Sequence, residues 1–142
     1  MTWQSARARL WTGRKVTSGV DRFRVLVVDD NQDAADALAM YLEFENLELR
    51  TAYGGKQAVD VAIAWTPHVV VMDISMPECN GYEAAKLIRA HAHTSHVAMI
   101  AFTAFDEHEV RRHLTDHEFD AYCQKGEPPS RLVALLARLT EK

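Results

Sequence analysis

Asp29, Asp30, Asp73, Thr103 and Lys125 are the side chains whose types could do chemistry together. Each stands at the end of an apolar run. Val25–Val28 precedes the acid pair, Val69–Met72 precedes Asp73, Val97–Phe102 precedes Thr103, and the short run Asp120–Cys123 precedes Lys125. Three carboxylates within about 5 Å of one another repel by about 3 kcal/mol per pair at an effective dielectric near 20. A hard divalent cation with oxygen ligands offsets that, and Mg²⁺ suits one or two carboxylates plus a phosphate. Lys125 adds a fixed positive charge, and the Thr103 hydroxyl can donate to a bound oxyanion. Such a set permits phosphoryl transfer onto Asp73 as nucleophile, with catalysis mostly by positioning and charge.

These residues need a scaffold that brings strand ends together. Four consecutive apolar residues without polar alternation, as at Val69–Met72, suit a parallel strand covered on both faces. Pro77 and Gly81 force a loop behind Asp73 before a helix over Tyr82–Ala92. Elsewhere the spacing predicts helices over Gln32 to about Glu45, Lys56–Trp65, Asp106–Thr115 and Pro129–Leu139, with a further strand at Leu47–Ala52. In the first helix the expected inward positions are Ala34, Leu38, Tyr41, Leu42 and Glu45; in the third they are Ala85, Leu87 and Ile88. Alternating strands and helices imply an α/β fold with a parallel sheet, right-handed crossovers and helices on both faces. For five strands the flavodoxin-like order 2-1-3-4-5 follows, which sets the acids at the carboxyl edge where open α/β sheets bind ligands.

A chain of 142 residues is long enough for one domain with a real core, and 48% hydrophobic against 25% charged residues is ordinary for a globule. The net charge of −4 hides an asymmetry: up to Arg24 there are six basic residues against one acid, and beyond it ten against nineteen. So acidic a body is a poor nucleic-acid binder by itself. Two cysteines, Cys79 and Cys123, stand at no metal-like spacing, no run approaches a membrane span, and no signal-peptide pattern opens the chain. The expectation is a cytoplasmic protein. Residues 1–22 read as a basic extension, flexible or a linker, outside a domain at 23–142. The alternative is a short basic helix with Trp3, Ala6, Leu10 and Trp11 on one face.

From about Phe23 to Leu139 the chain resembles the receiver domain of two-component response regulators. The resemblance rests on Asp29-Asp30, on Asp73 with Pro77 and Gly81 behind it, on Thr103-Ala104, and on Lys125, in that order. It implies that Asp73 is the phosphoacceptor, served by a sensor histidine kinase or a histidine phosphotransfer protein. It further implies that Mg²⁺ is held by Asp30 directly, by Asp29 through water, by Asp73, and by the backbone carbonyl of Ser75. Thr103 corresponds to a switch hydroxyl, and Tyr122 to an aromatic that turns inward when Thr103 moves toward the phosphoryl group. A downstream protein would read residues 106–139. One departure is Gly126, where the family usually has a proline after the lysine in a cis peptide. A trans Lys125–Gly126 bond, with glycine absorbing the difference in φ, is expected instead.

On this reading the chain is a phosphoacceptor and not an enzyme. Two alternatives stand beside it: a receiver-like scaffold indifferent to phosphorylation, for which Gly126 speaks, and an aspartate-nucleophile phosphatase of the haloacid dehalogenase type. The latter wants a second acid two residues beyond the nucleophile, where Ser75 stands. Blander readings compete residue by residue. Asp29-Asp30 suits a helix N-cap, Thr103 and Tyr122 suit strands, His91, His93 and His96 read as solvated loop histidines, and the charges at Glu107, Glu109, Arg111 and Arg112 read as a solvated face. Phe105, two residues beyond Thr103, is placed to restrict attacking water.

Overall fold

The computed structural model describes residues 6–19 and 22–141. Five strands run parallel: β3 (Arg24–Val28), β4 (Glu48–Ala52), β5 (Val69–Met72), β6 (Ala98–Thr103) and β7 (Ala121–Gln124). Between them lie α1 (Gln32–Glu43), α2 (Gly55–Trp65), α3 (Gly81–Ala90) and α4 (Glu107–Arg112), and α5 (Pro129–Leu139) follows the last. This is a flavodoxin-like α/β architecture. The expected five-stranded, all-parallel sheet needs correction, because a sixth strand, β1 (Ala8–Leu10), joins it to give the order β1-β7-β6-β5-β3-β4. The added strand is antiparallel to β7, with Arg9 opposite Tyr122. A second ladder pairs β2 (Val16–Thr17) with β8 (Thr140–Glu141).

The basic leader therefore joins the fold over its described part. The short-helix alternative is also corrected, since Leu10 lies in a strand and Trp11 just beyond it; Trp3 lies outside the described residues. Edge pairing explains the outcome. β7 would otherwise present a row of unpaired backbone groups, and Ala8–Leu10 covers them.

The core has two layers, one on each sheet face. Leu26, Val28, Val70, Met72, Met99 and Tyr122 pack on one side with α2 and α3. On the other, Val25, Val27, Val71, Ile100 and Cys123 meet α1 and α5. In α5 the stripe is Leu132, Leu135, Leu136 and Leu139, all buried as expected. In α1 the buried residues are Ala35, Ala39 and Leu42, with Leu38 packed against the core; the expectation holds for Leu38 and Leu42, whereas Ala34, Tyr41 and Glu45 are exposed. In α3 the buried residues are Gly81, Ala84, Ala85 and Ile88, whereas Leu87 is exposed. The helix predicted over Asp106–Thr115 forms only over Glu107–Arg112. Its Glu107 is buried, against the expectation of a solvated face. Among the described residues, no helix is long and apolar enough to cross a membrane.

Candidate functional site

The carboxyl ends of the parallel strands deliver the chemistry. Asp29 and Asp30 follow β3, and Asp73 follows β5, its neighbour in the sheet. Thr103 ends β6 and Lys125 follows β7. Asn31, and neither acid, is the N-cap of α1, its side chain accepting from the Ala34 amide, so the acid pair remains available to a ligand. Behind Asp73 the chain turns tightly enough for the Gly81 amide to bond the Ile74 carbonyl at 2.9 Å. A Cβ on Gly81 would lie 2.4 Å from the Asp73 carbonyl oxygen, so only glycine lets α3 begin this close to the site. A capping box, with Asn80 and Glu83 bonded to each other's amides, starts that helix.

The three acids each offer an oxygen within 4.8 Å of the others. Asp29 and Asp73 are buried and Asp30 is exposed, which gives a pocket floor with one open side. Lys125 reaches in from β7, its Nζ 2.6 Å from Asp29 Oδ2 and 3.3 Å from Asp73 Oδ2. The other oxygen of each acid is tethered to the backbone: Asp29 Oδ1 accepts from the Asn31 amide at 2.9 Å, and Asp73 Oδ1 from the Ile74 amide at 2.8 Å. Burial pushes the Asp73 carboxyl above its ordinary range, with Lys125 pulling the other way and Asp29 adding to the rise. Burial also opposes the charge on Lys125, but its bond to Asp29 and the charge of Asp73 outweigh this and raise its pKa. Removing Lys125 would leave buried carboxylates without their counter-charge.

Hard oxygen donors at this spacing fit a small divalent cation, and the cluster is one that invites neutralisation. Among the described residues no group including His91, His93 or His96 forms such a cluster. Ser75 is exposed in the loop two residues past Asp73. Thr103 is buried, its Oγ1 accepting from the Phe105 amide at 3.4 Å. Tyr122 is fully buried and its hydroxyl donates to the Phe105 carbonyl at 2.6 Å. No cis peptide occurs among the described residues, and Gly126 takes φ +99°. The missing proline is thus absorbed by a backbone conformation that favours glycine, and Lys125 still reaches both acids.

Over residues 25–137 the chain matches the family described as the response regulator receiver domain. It belongs to that family. The receiver is 33% identical over 116 residues to the response regulator SaeR of Staphylococcus aureus, and 31% identical over 116 residues to the response regulator MprA of Mycolicibacterium vanbaalenii. Those matches take in 81% and 82% of the chain but only 49% and 48% of the relatives, so the chain spans about half their length. Among solved structures it resembles TrrA of Thermotoga maritima, captured with Mg²⁺ and beryllofluoride: TM-score 0.74, 30% identity, 82% of this chain and 98% of that one. A receiver domain from Methanospirillum hungatei, at 24% identity and TM-score 0.74, shows the same fold.

The expectation that the chain is no enzyme is corrected here. Acids gathered within 4.8 Å are the parts of a catalyst for phosphoryl transfer, and a 30% identical receiver binds Mg²⁺ with a phosphoryl mimic. The acid cluster therefore equips the receiver to catalyse phosphoryl transfer as well as to accept it. Outside the acid cluster, three residues make contacts that the sequence did not announce: Trp11, Glu107 and Asp120. Trp11 Nε1 donates to Glu107 Oε2 at 2.7 Å, and Asp120 accepts from Thr12, Arg14, Arg89 and the Met99 amide.

Proposed function

We propose that this receiver accepts a phosphoryl group on Asp73 from the phosphohistidine of a sensor kinase or histidine phosphotransfer protein, and passes the change to a protein that reads residues 106–139. A carboxylate oxygen of Asp73 attacks phosphorus, the new O–P bond forms, and the P–N bond to the partner imidazole breaks. The imidazole leaves with the electron pair and takes up a proton. The tether from the Ile74 amide to Asp73 Oδ1 at 2.8 Å fixes the orientation of the attacking group. The Lys125 ammonium, 3.3 Å from Asp73 Oδ2, is placed to follow charge onto the transferred oxygens. Asp29, Asp30, Asp73 and the Ser75 carbonyl are the ligands we assign to Mg²⁺. When bound, that ion neutralises the acids and the incoming phosphate. Thr103, one strand over from Asp73, donates its hydroxyl to a phosphoryl oxygen, and Tyr122 responds through Phe105.

The observation that carries this reading is the Lys125 ammonium seated between Asp29 and Asp73 at the ends of neighbouring strands. It also weighs against a scaffold indifferent to phosphorylation, because Gly126 has not cost the lysine its place. Titration with beryllofluoride tests the reading. Saturable binding that requires Mg²⁺ and perturbs the amides of Ile74 and Phe105 is expected; binding indifferent to Mg²⁺ contradicts it.

A further inference from the structure

The segment from Arg7 to Thr12 covers the outer side of Tyr122. β1 lies along β7 with Arg9 opposite Tyr122, and the chain continues so that the Trp11 amide bonds the Asp120 carbonyl at 2.7 Å. The Trp11 ring then stacks on Tyr122, centroids 5.6 Å apart and planes only 6° from parallel. Glu107, at the start of α4, accepts from Trp11 Nε1 at 2.7 Å and is itself paired with Arg9 at 3.5 Å and Arg111 at 3.7 Å. The Arg111 guanidinium lies 4.5 Å from the Trp11 ring centroid. An aromatic held by a ladder, a buried carboxylate and a cation is a built contact, stiffer than a leader resting on a surface.

The contact leads to the site in a few steps. The Tyr122 hydroxyl holds the Phe105 carbonyl at 2.6 Å, and the Phe105 amide holds Thr103 Oγ1 at 3.4 Å. Ala101 and Tyr122 are opposite each other and share one core layer, and Thr103 lies two residues beyond Ala101 on the same face. An outward swing of Tyr122 would break its bond to Phe105 and loosen the turn that carries the Thr103 hydroxyl.

We propose that Trp11 is a positioning residue for the phosphoryl chemistry: clamped by Glu107 and Arg111, it keeps Tyr122 packed inside and so holds the Thr103–Phe105 turn ready for a phosphoryl group on Asp73. The inference rests on the function proposed above. A turn held in advance need not be ordered when the ligand arrives, so Trp11 docking and phosphoryl binding favour the same arrangement. Linkage makes the effect reciprocal: each tightens the other by the same factor.

The test is calorimetric titration of beryllofluoride, in saturating Mg²⁺, into the full chain and its variants. Trp11→Ala is expected to weaken binding about fivefold to tenfold, the ordinary size of coupling between sites. Trp11→Phe, which keeps the stacked ring but lacks the Nε1 donor to Glu107, should recover only part of that loss, leaving binding about threefold weaker than wild type. In a Tyr122→Ala background the Trp11→Ala change should fall to less than about twofold, because the path then lacks its middle member. Glu107→Gln leaves the ring pair and loosens its anchor, so about threefold weaker binding is expected whether or not Trp11→Ala folds. Unchanged or tighter binding in Trp11→Ala or Glu107→Gln overturns the inference. So does an equal loss in the Tyr122→Ala background, which would make Trp11 merely structural. Failure of the wild-type chain to bind at all overturns the proposed function and this inference with it; wild-type binding indifferent to Trp11 overturns this inference alone.

Discussion

Asp73 and Lys125 show how one residue pair sets the character of the site. Burial disfavours the charge on both the acid and the amine, yet each offsets that cost for the other, and the bond from Lys125 to Asp29 adds to the hold on the amine. Phe105, two residues beyond Thr103, is 39% exposed, with its backbone engaged by both Thr103 and Tyr122. On the proposed function, its side chain would screen the phosphoryl group from water. Phe105→Ala is therefore expected to hasten dephosphorylation severalfold, read as the decay of phosphoprotein after excess donor is removed; an unchanged or slower decay contradicts the screening role. His68, at the opposite end of the sheet, accepts from the Arg24 amide at 2.8 Å. Burial and then the charge of Arg24 lower its pKa from 6.5, partly countered by Glu48. The sign follows directly: below about pH 6.5 the unfolded chain binds a proton that the fold resists, so stability falls on acidification. His68→Asn, which retains an acceptor, should lose less melting temperature than wild type between about pH 7.5 and 5.5. An equal loss in both would remove His68 from the account.

At the scale of elements, the loop from Asp73 to Gly81 does more than connect. The Gly81 amide closes it onto Ile74, and a methyl group there would meet backbone 2.4 Å away. Gly81→Ala should cost about 1–3 kcal/mol in urea denaturation, typical of overpacking, and weaken beryllofluoride binding by displacing Asp73. A stability within about 0.5 kcal/mol of wild type would mean that the loop yields easily. The same elements show where sequence patterns speak and where they fall silent. Apolar runs of four or more, each closed by a polar residue, marked β3, β5 and β6, and the acids at their ends marked the site. In α1, Leu38 and Leu42 were read inward correctly, but adjacent Ala34 and Ala35 have the same hydropathy, so tertiary packing chose Ala35. β1 is three residues long, too short for alternation to register, and its pairing depends on the exposed edge of β7, a feature of the folded sheet.

Across the whole molecule, Asp120 ties the leader to the body. It is fully buried and accepts from Thr12 Oγ1 at 2.7 Å, Arg14 Nε at 2.9 Å, Arg89 Nη2 at 2.8 Å and the Met99 amide at 2.9 Å. Arg89 also donates to carbonyls at Glu118, Ser95 and Val97, so one network joins the leader, α3 and two strands. Asp120→Ala leaves those donors facing no charge and should cost about 3–5 kcal/mol, measured by equilibrium denaturation; a loss below about 1 kcal/mol would mean that water serves them as well. Nothing in the types or spacing of Thr12, Arg14, Arg89 and Asp120 announced this network, since they are far apart in sequence and each is a common surface residue.

On the proposed function, the acids at the strand ends form a cation-dependent phosphoacceptor with Asp73 as the nucleophile. Intact mass after incubation with acetyl phosphate, with and without Mg²⁺, on wild type and Asp73→Asn, tests it most directly. One added phosphoryl group on the wild-type chain, absent without Mg²⁺ and absent in Asp73→Asn, is predicted. Equal labelling of the two proteins, or none in wild type with Mg²⁺ present, would contradict it.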